Sequence, residues 1–204
     1  LSLLGALLLA ARLLDAAIDP LLGGWSDRTA SRQRLILLAL PCLALGMLAL
    51  LQPPASGAPW WLLASMLLTY FGFSLASVAY QAWGAELGRD AGERTRLTAS
   101  REGFGLLGVV LAATLPGLLS PDLASGLSGV AQLFPLLLFA LAAWTLAGSP
   151  PSAARTPASG SLFGDLRGVL EDRAFRRLLA VFVVNGIAAA LPATLVLFYV
   201  ADVL

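Results

Sequence analysis

Residues 12 to 20 read Arg12-Leu13-Leu14-Asp15-Ala16-Ala17-Ile18-Asp19-Pro20, inside a run that is otherwise apolar from Leu1 to about Leu22. A hydrocarbon core of about 30 Å takes about 20 residues of α-helix at 1.5 Å each, so this run is long enough to cross a bilayer. Three ionisable groups at i, i+3 and i+7 then share one face of that helix. With the polar end near Gly24, Asp19 lies roughly 8 Å inside the apolar layer and Arg12 roughly 18 Å inside. A charge at mid-span costs about 2.5 to 3.5 kcal/mol on insertion scales, so the three must face one another or a polar cavity.

The rest of the chain repeats the apolar theme. Of its 204 residues 58% are apolar and 12% charged, where an average soluble domain has about 25% charged. Apolar runs recur at Leu35–Leu51, Trp60 to about Leu87, Gly103–Leu119, Leu127–Leu146 and Leu178–Val200, giving six spans in all. A soluble domain, a disordered chain and a single-anchor protein are thereby excluded, and the expected class is an all-α polytopic membrane protein. The net charge is +1, which offers nothing to nucleic acid. With one cysteine, Cys42, and no histidine, disulfides, His-based metal sites and His-dependent catalysis fall away, so neither an enzyme nor a resident cofactor is expected.

All 13 basic residues are arginine, and their placement gives the topology. The breaks Gly23–Arg34, Gly88–Glu102 and Gly148–Arg177 carry them, whereas Gln52–Pro59 and Ser120–Gly126 carry none. The positive-inside rule puts the three arginine-bearing connections in the cytoplasm, with every arginine but Arg12 obeying it. Both ends of the chain then lie outside, and since Leu1 is not methionine and no leader precedes it, at least one further helix is expected before Leu1 and more after Leu204. An Ala, Leu, Gly, Arg and Pro bias without lysine suggests a GC-rich bacterial genome, hence the inner membrane. The connection after residue 148 starts with a flexible Ser/Pro/Ala/Gly linker to Ser161. Leu162, Phe163, Leu166, Val169 and Leu170 then share a face, as in an amphipathic helix on the cytoplasmic surface. The expected organisation is one bundle over 1–148, a cytoplasmic loop over 149–177 and the first helix of a second bundle over 178–204.

Two readings of the charged face stand open. Arg12 and Asp15 form a structural ion pair with Asp19 near the interface, or Asp15 and Asp19 supply oxygen ligands for a small cation or a proton site. Pro20 lacks an N–H and so frees a backbone carbonyl as a further ligand.

Downstream comes Gly23-Gly24-Trp25-Ser26-Asp27-Arg28, with Arg32 four residues on. It resembles the signature loop of the major facilitator superfamily, G-x-x-S-D-R with following basic residues, in which Gly23, Ser26, Asp27, Arg28 and Arg32 match. Together with R-x-x-D-A-x-x-D-P upstream, it is similar to the glycoside-pentoside-hexuronide:cation symporters, the melibiose-carrier-like branch. A second stretch, Tyr80-Gln-Ala-Trp-Gly-Ala-Glu86-Leu followed by an acidic and basic run to Arg101, resembles that family's fourth-to-fifth helix junction.

The resemblance covers the whole chain and makes its spans helices two to seven of twelve. It implies a cation-coupled symporter, using Na⁺ or H⁺, that moves a sugar or related solute by alternating access. Asp15 and Asp19 would bind the cation, sodium if that is the coupling ion, with Ser74 where the family has a threonine. Arg101 would contact the sugar, although any arginine there also anchors topology. Asn185, within Val183-Val-Asn-Gly-Ile, resembles the family's seventh helix, where it would bind substrate or bridge two helices. Ser77 and Gln81 stand where melibiose carriers have an aspartate and a tryptophan, so the sugar-specific set is broken, and Ile18 replaces an asparagine. That departure motivates a second reading, a proton-coupled or facilitative carrier of a non-sugar or amphipathic solute. A third is a non-transporting membrane protein whose aspartates serve packing. The expected partners are a small molecule and the lipid bilayer. The sequence leaves the oligomeric state open, with a monomer as the expectation. Gly103-Phe-Gly105-Leu-Leu-Gly108 spells G-x-G-x-x-G but has no preceding strand, and reads as a helix-packing surface.

Overall fold

The computed structural model describes residues 2–29, 31–54, 59–151, 168 and 170–203, with side chains over 5–29, 31–54, 59–151, 168 and 170–188. Their regular structure is helical, with no strand among the described residues. The long helices are α1 (Ser2–Arg28), α2 (Arg32–Leu51), α3 (Pro59–Leu87), α4 (Ala91–Leu119), α5 (Leu123–Gly148) and α6 (Arg173–Val203). They divide between two units, Leu1–Ala158 and Ser159–Leu204. Among the described residues α2, α3, α4 and α5 are each long and apolar enough to cross a membrane.

Helices α2 and α3 form the most extensive pair, and two glycines explain how closely they run. A Cβ on Gly46 would stand 2.6 Å from the Thr69 backbone nitrogen, and one on Gly72 would stand 2.6 Å from that of Leu43. The pairs 46/69 and 43/72 sum to the same number, the mark of antiparallel helices in fixed register. With no aqueous driving force between helices in lipid, such close backbone approach supplies the packing energy. Around this pair Leu35, Ile36, Ala39 and Leu40 of α2 close on Leu75, Ala79 and Trp83 of α3, with Leu22 of α1 completing the core. At the far end the Trp61 indole Nε1 donates to the Ala49 carbonyl at 2.8 Å, and Gln52 Nε2 donates to Ser128 Oγ at 3.2 Å.

The helix ends differ from the sequence expectation. Gly23–Arg34 reads as a loop, yet α1 runs through Gly23 and Gly24 to Arg28. Gly88–Glu102 reads as another, yet α4 begins at Ala91. A capping box explains the second difference: Asp90 Oδ1 accepts from the Glu93 N–H and Glu93 Oε2 from the Arg89 N–H, both at 2.8 Å. Arg101 therefore lies about 15 Å along α4 instead of at its start. Likewise α6 begins before Leu178, at Arg173, where Asp172 Oδ1 accepts from the Ala174 N–H. Of the amphipathic stretch near residues 162–171, only Gly168, Leu170 and Glu171 are described, and all three are helical. Cβ atoms on Gly103, Gly105 and Gly108 would meet nothing within 4 Å, so no packing partner for that stripe lies among the described residues.

Candidate functional site

On α1 the residues Ala11, Asp15, Ile18, Leu22 and Ser26 follow one another at helical spacing. Ala11, Leu22 and Ser26 are buried, and Asp15 and Ile18 are half-buried. At 100° per residue Arg12 and Asp19 fall about 20° apart, whereas Asp15 sits about 60° round from Arg12. The three charges are thus not equivalent. Asp15 is on the packed stripe, while Arg12 and Asp19 are exposed beside it.

The packed stripe meets α3. The Ser74 hydroxyl donates to Asp15 Oδ1 at 2.9 Å. One turn away the Arg12 guanidinium carbon lies 4.7 Å from the centroid of the Tyr70 ring, within cation–π range. Numbering rises together along both helices, from 12/70 to 15/74, so α1 and α3 are parallel here. The Arg12–Asp15 ion pair, one of the two readings of this face, does not form among the described residues. The aromatic face offered by α3 takes the guanidinium instead, a partner that spacing along α1 alone gives no means of seeing. Asp19 makes no hydrogen bond or ion pair among the described residues, and the same register sets it level with Ser77 and Val78. Two of the three anticipated cation ligands, Asp15 and Ser74, are therefore brought together, with Asp19 one turn on. The missing N–H of Pro20 removes the donor that would meet the Ala16 carbonyl between them. No cluster of three acidic, cysteine or histidine side chains forms among the described residues.

The signature residues converge at the arginine-bearing end. Arg32, 5% exposed, donates through Nε to Glu86 Oε1 at 2.8 Å, through Nη1 to Ser26 Oγ at 2.8 Å and through Nη2 to Asp27 Oδ1 at 3.2 Å. One guanidinium so ties the end of α1, the start of α2 and the end of α3. Gly23 is half-buried on α1 with open space at its Cβ, and Arg28 closes the helix where a cation favours the dipole.

Two cavities open beside α3. The larger, about 470 Å³, is lined by Tyr80, Gln81 and Trp83 of α3, by Arg94, Leu97, Thr98 and Arg101 of α4, and by Thr145 of α5, among others. The four α4 residues are spaced i, i+3, i+4 and i+7, one face of the helix. The smaller, about 320 Å³, holds Ser77 and shares Tyr80, Trp83 and Thr145 with the first. Gln81 and Arg101 thus meet in one cavity and Ser77 lines its neighbour. Asn185 is exposed on α6 in the second unit, with no hydrogen bond among the described residues. Sequence reasoning missed Arg94 and Trp83 as cavity walls. Topology had accounted for Arg94, and the spacing 94, 98, 101 was the available signal.

A family model described as MFS/sugar transport protein matches residues 1–204. No curated protein and no solved structure matches the chain.

Proposed function

This chain belongs to the MFS/sugar transport protein family, and from that premise we propose that it works as a cation-coupled symporter of a sugar or related small solute. Membership itself makes it a multi-pass transporter of the major facilitator superfamily that binds a small molecule within a lipid bilayer. Coupling to Na⁺ or H⁺, alternating access, a bacterial inner-membrane location and a monomeric state belong to the proposal. The observation that carries it is the hydrogen bond from Ser74 to Asp15, a carboxylate held at the middle of α1 against α3. On this reading α1 crosses the bilayer, where a carboxylate is costly and marks an ion or solute path by default. Rotating the Ser74 hydroxyl would turn both oxygens toward a sodium ion, with the Ala16 carbonyl and Asp19 within one turn along α1 as further oxygens. A proton is the alternative occupant, carried on Asp15 itself.

Binding of the ion would favour the form that holds solute, so that the gradient of one is linked to accumulation of the other. Gln81 and Arg101 in the larger cavity and Ser77 in the smaller are the solute-facing groups on this reading, and Asn185 is a further candidate from the second unit. Asp27 and Arg32 belong to the clasp that holds the helix ends, and Arg28 is the last residue of α1. Uptake by the full-length protein in proteoliposomes tests the proposal. Solute should accumulate only when a sodium or proton gradient is imposed, and Asp15→Asn should abolish accumulation while downhill exchange persists. Full accumulation by that variant would refute the coupling site.

A second reading, a facilitative or proton-coupled carrier of a non-sugar solute, is favoured by Ser77 and Gln81, which replace the carboxylate and indole expected of a sugar site. Gradient-independent equilibration in the same assay would select it. A non-transporting role is disfavoured by the family.

A further inference from the structure

The larger cavity has a charge pattern that a neutral sugar does not need. Sugar hydroxyls are held best by carboxylate acceptors, yet among the described residues no Asp or Glu lines this cavity, while Arg94 and Arg101 both do. They are seven residues apart on α4, so both side chains leave one face of the helix from backbone positions about 10 Å apart along it. Neither is consumed by packing. Arg94 Nε donates to the Gly88 carbonyl at 3.2 Å, which fixes the side chain and leaves its terminal nitrogens as donors. Arg101 pairs through Nη2 with Glu102, whose side chain is 65% exposed and outside the cavity. Behind the lining Trp83 is 1% exposed, and its indole Nε1 is buried with no hydrogen-bond partner among the described residues. Tyr80 and Trp83 also line the smaller cavity, which no charged residue lines among the described residues. A cationic chamber therefore shares an aromatic wall with an apolar one.

Resting on the transporter reading above, and on its second, non-sugar form, we propose that the solute is an amphipathic organic anion. Its acidic head group sits between Arg94 and Arg101 and its apolar body lies against the exposed Tyr80 and Leu97 side chains. Two guanidiniums donate paired hydrogen bonds to a carboxylate, sulfonate or phosphate, and the aromatic wall takes hydrocarbon that a sugar would replace with hydroxyls.

The test is binding to the full-length protein in phosphatidylcholine nanodiscs, measured calorimetrically with 4-phenylbutyrate, its neutral counterpart 4-phenylbutan-1-ol, and the polar anion glucuronate. The proposal expects 4-phenylbutyrate to bind at least about tenfold more tightly than either of the others. Arg94→Gln should erase the preference, whereas Arg96→Gln, which removes the same charge outside the cavity lining, should keep it. Equal or tighter binding of glucuronate overturns the amphipathic assignment, and equal binding of the alcohol overturns the anionic one. No binding of any anion overturns both, and so does a preference that survives Arg94→Gln. Adding phosphatidylglycerol to the discs separates sources. Competition that depends on Arg94 supports the site with a leaflet lipid as the anion, and its absence supports a water-borne solute. Because binding is read without transport, a selective site with no uptake under any gradient would sink the transporter reading alone. Uptake of a neutral sugar unaffected by Arg94→Gln would sink this inference alone.

Discussion

Helix α1 is held to α3 at two places of different character. At the arginine-bearing end Arg32 gives three hydrogen bonds to Glu86, Ser26 and Asp27, so the buried cation is surrounded by acceptors. At mid-span Asp15 receives one hydrogen bond from one hydroxyl. A charge buried for stability is saturated, because each missing partner is a desolvation cost. A charge that must exchange partners during work is left with capacity. The first contact is read as a fastener and the second as a site.

Substitutions at the two places should separate these roles. Arg32→Leu is expected to do the most damage, lowering unfolding stability by about 3 to 5 kcal/mol, since it removes three hydrogen bonds from a buried junction. Thermal unfolding in detergent measures it, and a variant as stable as the parent would dissolve the distinction. Gly72→Ala, two residues before Ser74, should cost about 1 to 3 kcal/mol, because its Cβ meets the Leu43 backbone rather than a flexible side chain. Asp15→Asn should cost under about 1 kcal/mol, as an amide oxygen still accepts from Ser74, while accumulation is lost. A large stability loss there would make Asp15 a second fastener.

The smallest effect is expected at the α4–α5 turn, where the Ser125 hydroxyl and then its N–H bond to Asp122 and hold its carboxyl below the ordinary 3.8. A lowered folded pKa means a contribution that is present above the ordinary value and lost as pH falls through the lowered one. Amide exchange at Ser125, corrected for its intrinsic rate, should accelerate in that acidic window and not around neutrality. Asp122→Ala should already show the faster exchange at neutral pH.

The spans were legible because lipid enforces length and apolarity on any crossing helix. Their ends were not. Gly23-Gly24 and the arginines near 94 and 101 look like loop chemistry, but α1 continues because Ser26 is buried against Arg32, and α4 starts early because Asp90 and Glu93 cap it. Asp15 with Ser74 was legible only through resemblance, since nothing in spacing tells which residue of a distant helix abuts. For the same reason an Arg12–Asp15 pair stood as one open reading, since spacing along α1 does not show Tyr70 on α3. Arg94 was hidden by sufficiency: a positive charge near a membrane surface already had an explanation.

The clasp at Arg32 has a mechanical consequence. Ser26 and Asp15 are eleven residues apart on α1, about 16 Å along the axis. Pivoting α1 by about 5° at the clasp swings Asp15 through about 1.4 Å, enough to take a 2.9 Å contact out of hydrogen-bonding range. The fixed end is thus a fulcrum and the carboxylate the tip of a pointer, where a rotation too slight to unseat Arg32 is magnified into the making or breaking of a bond.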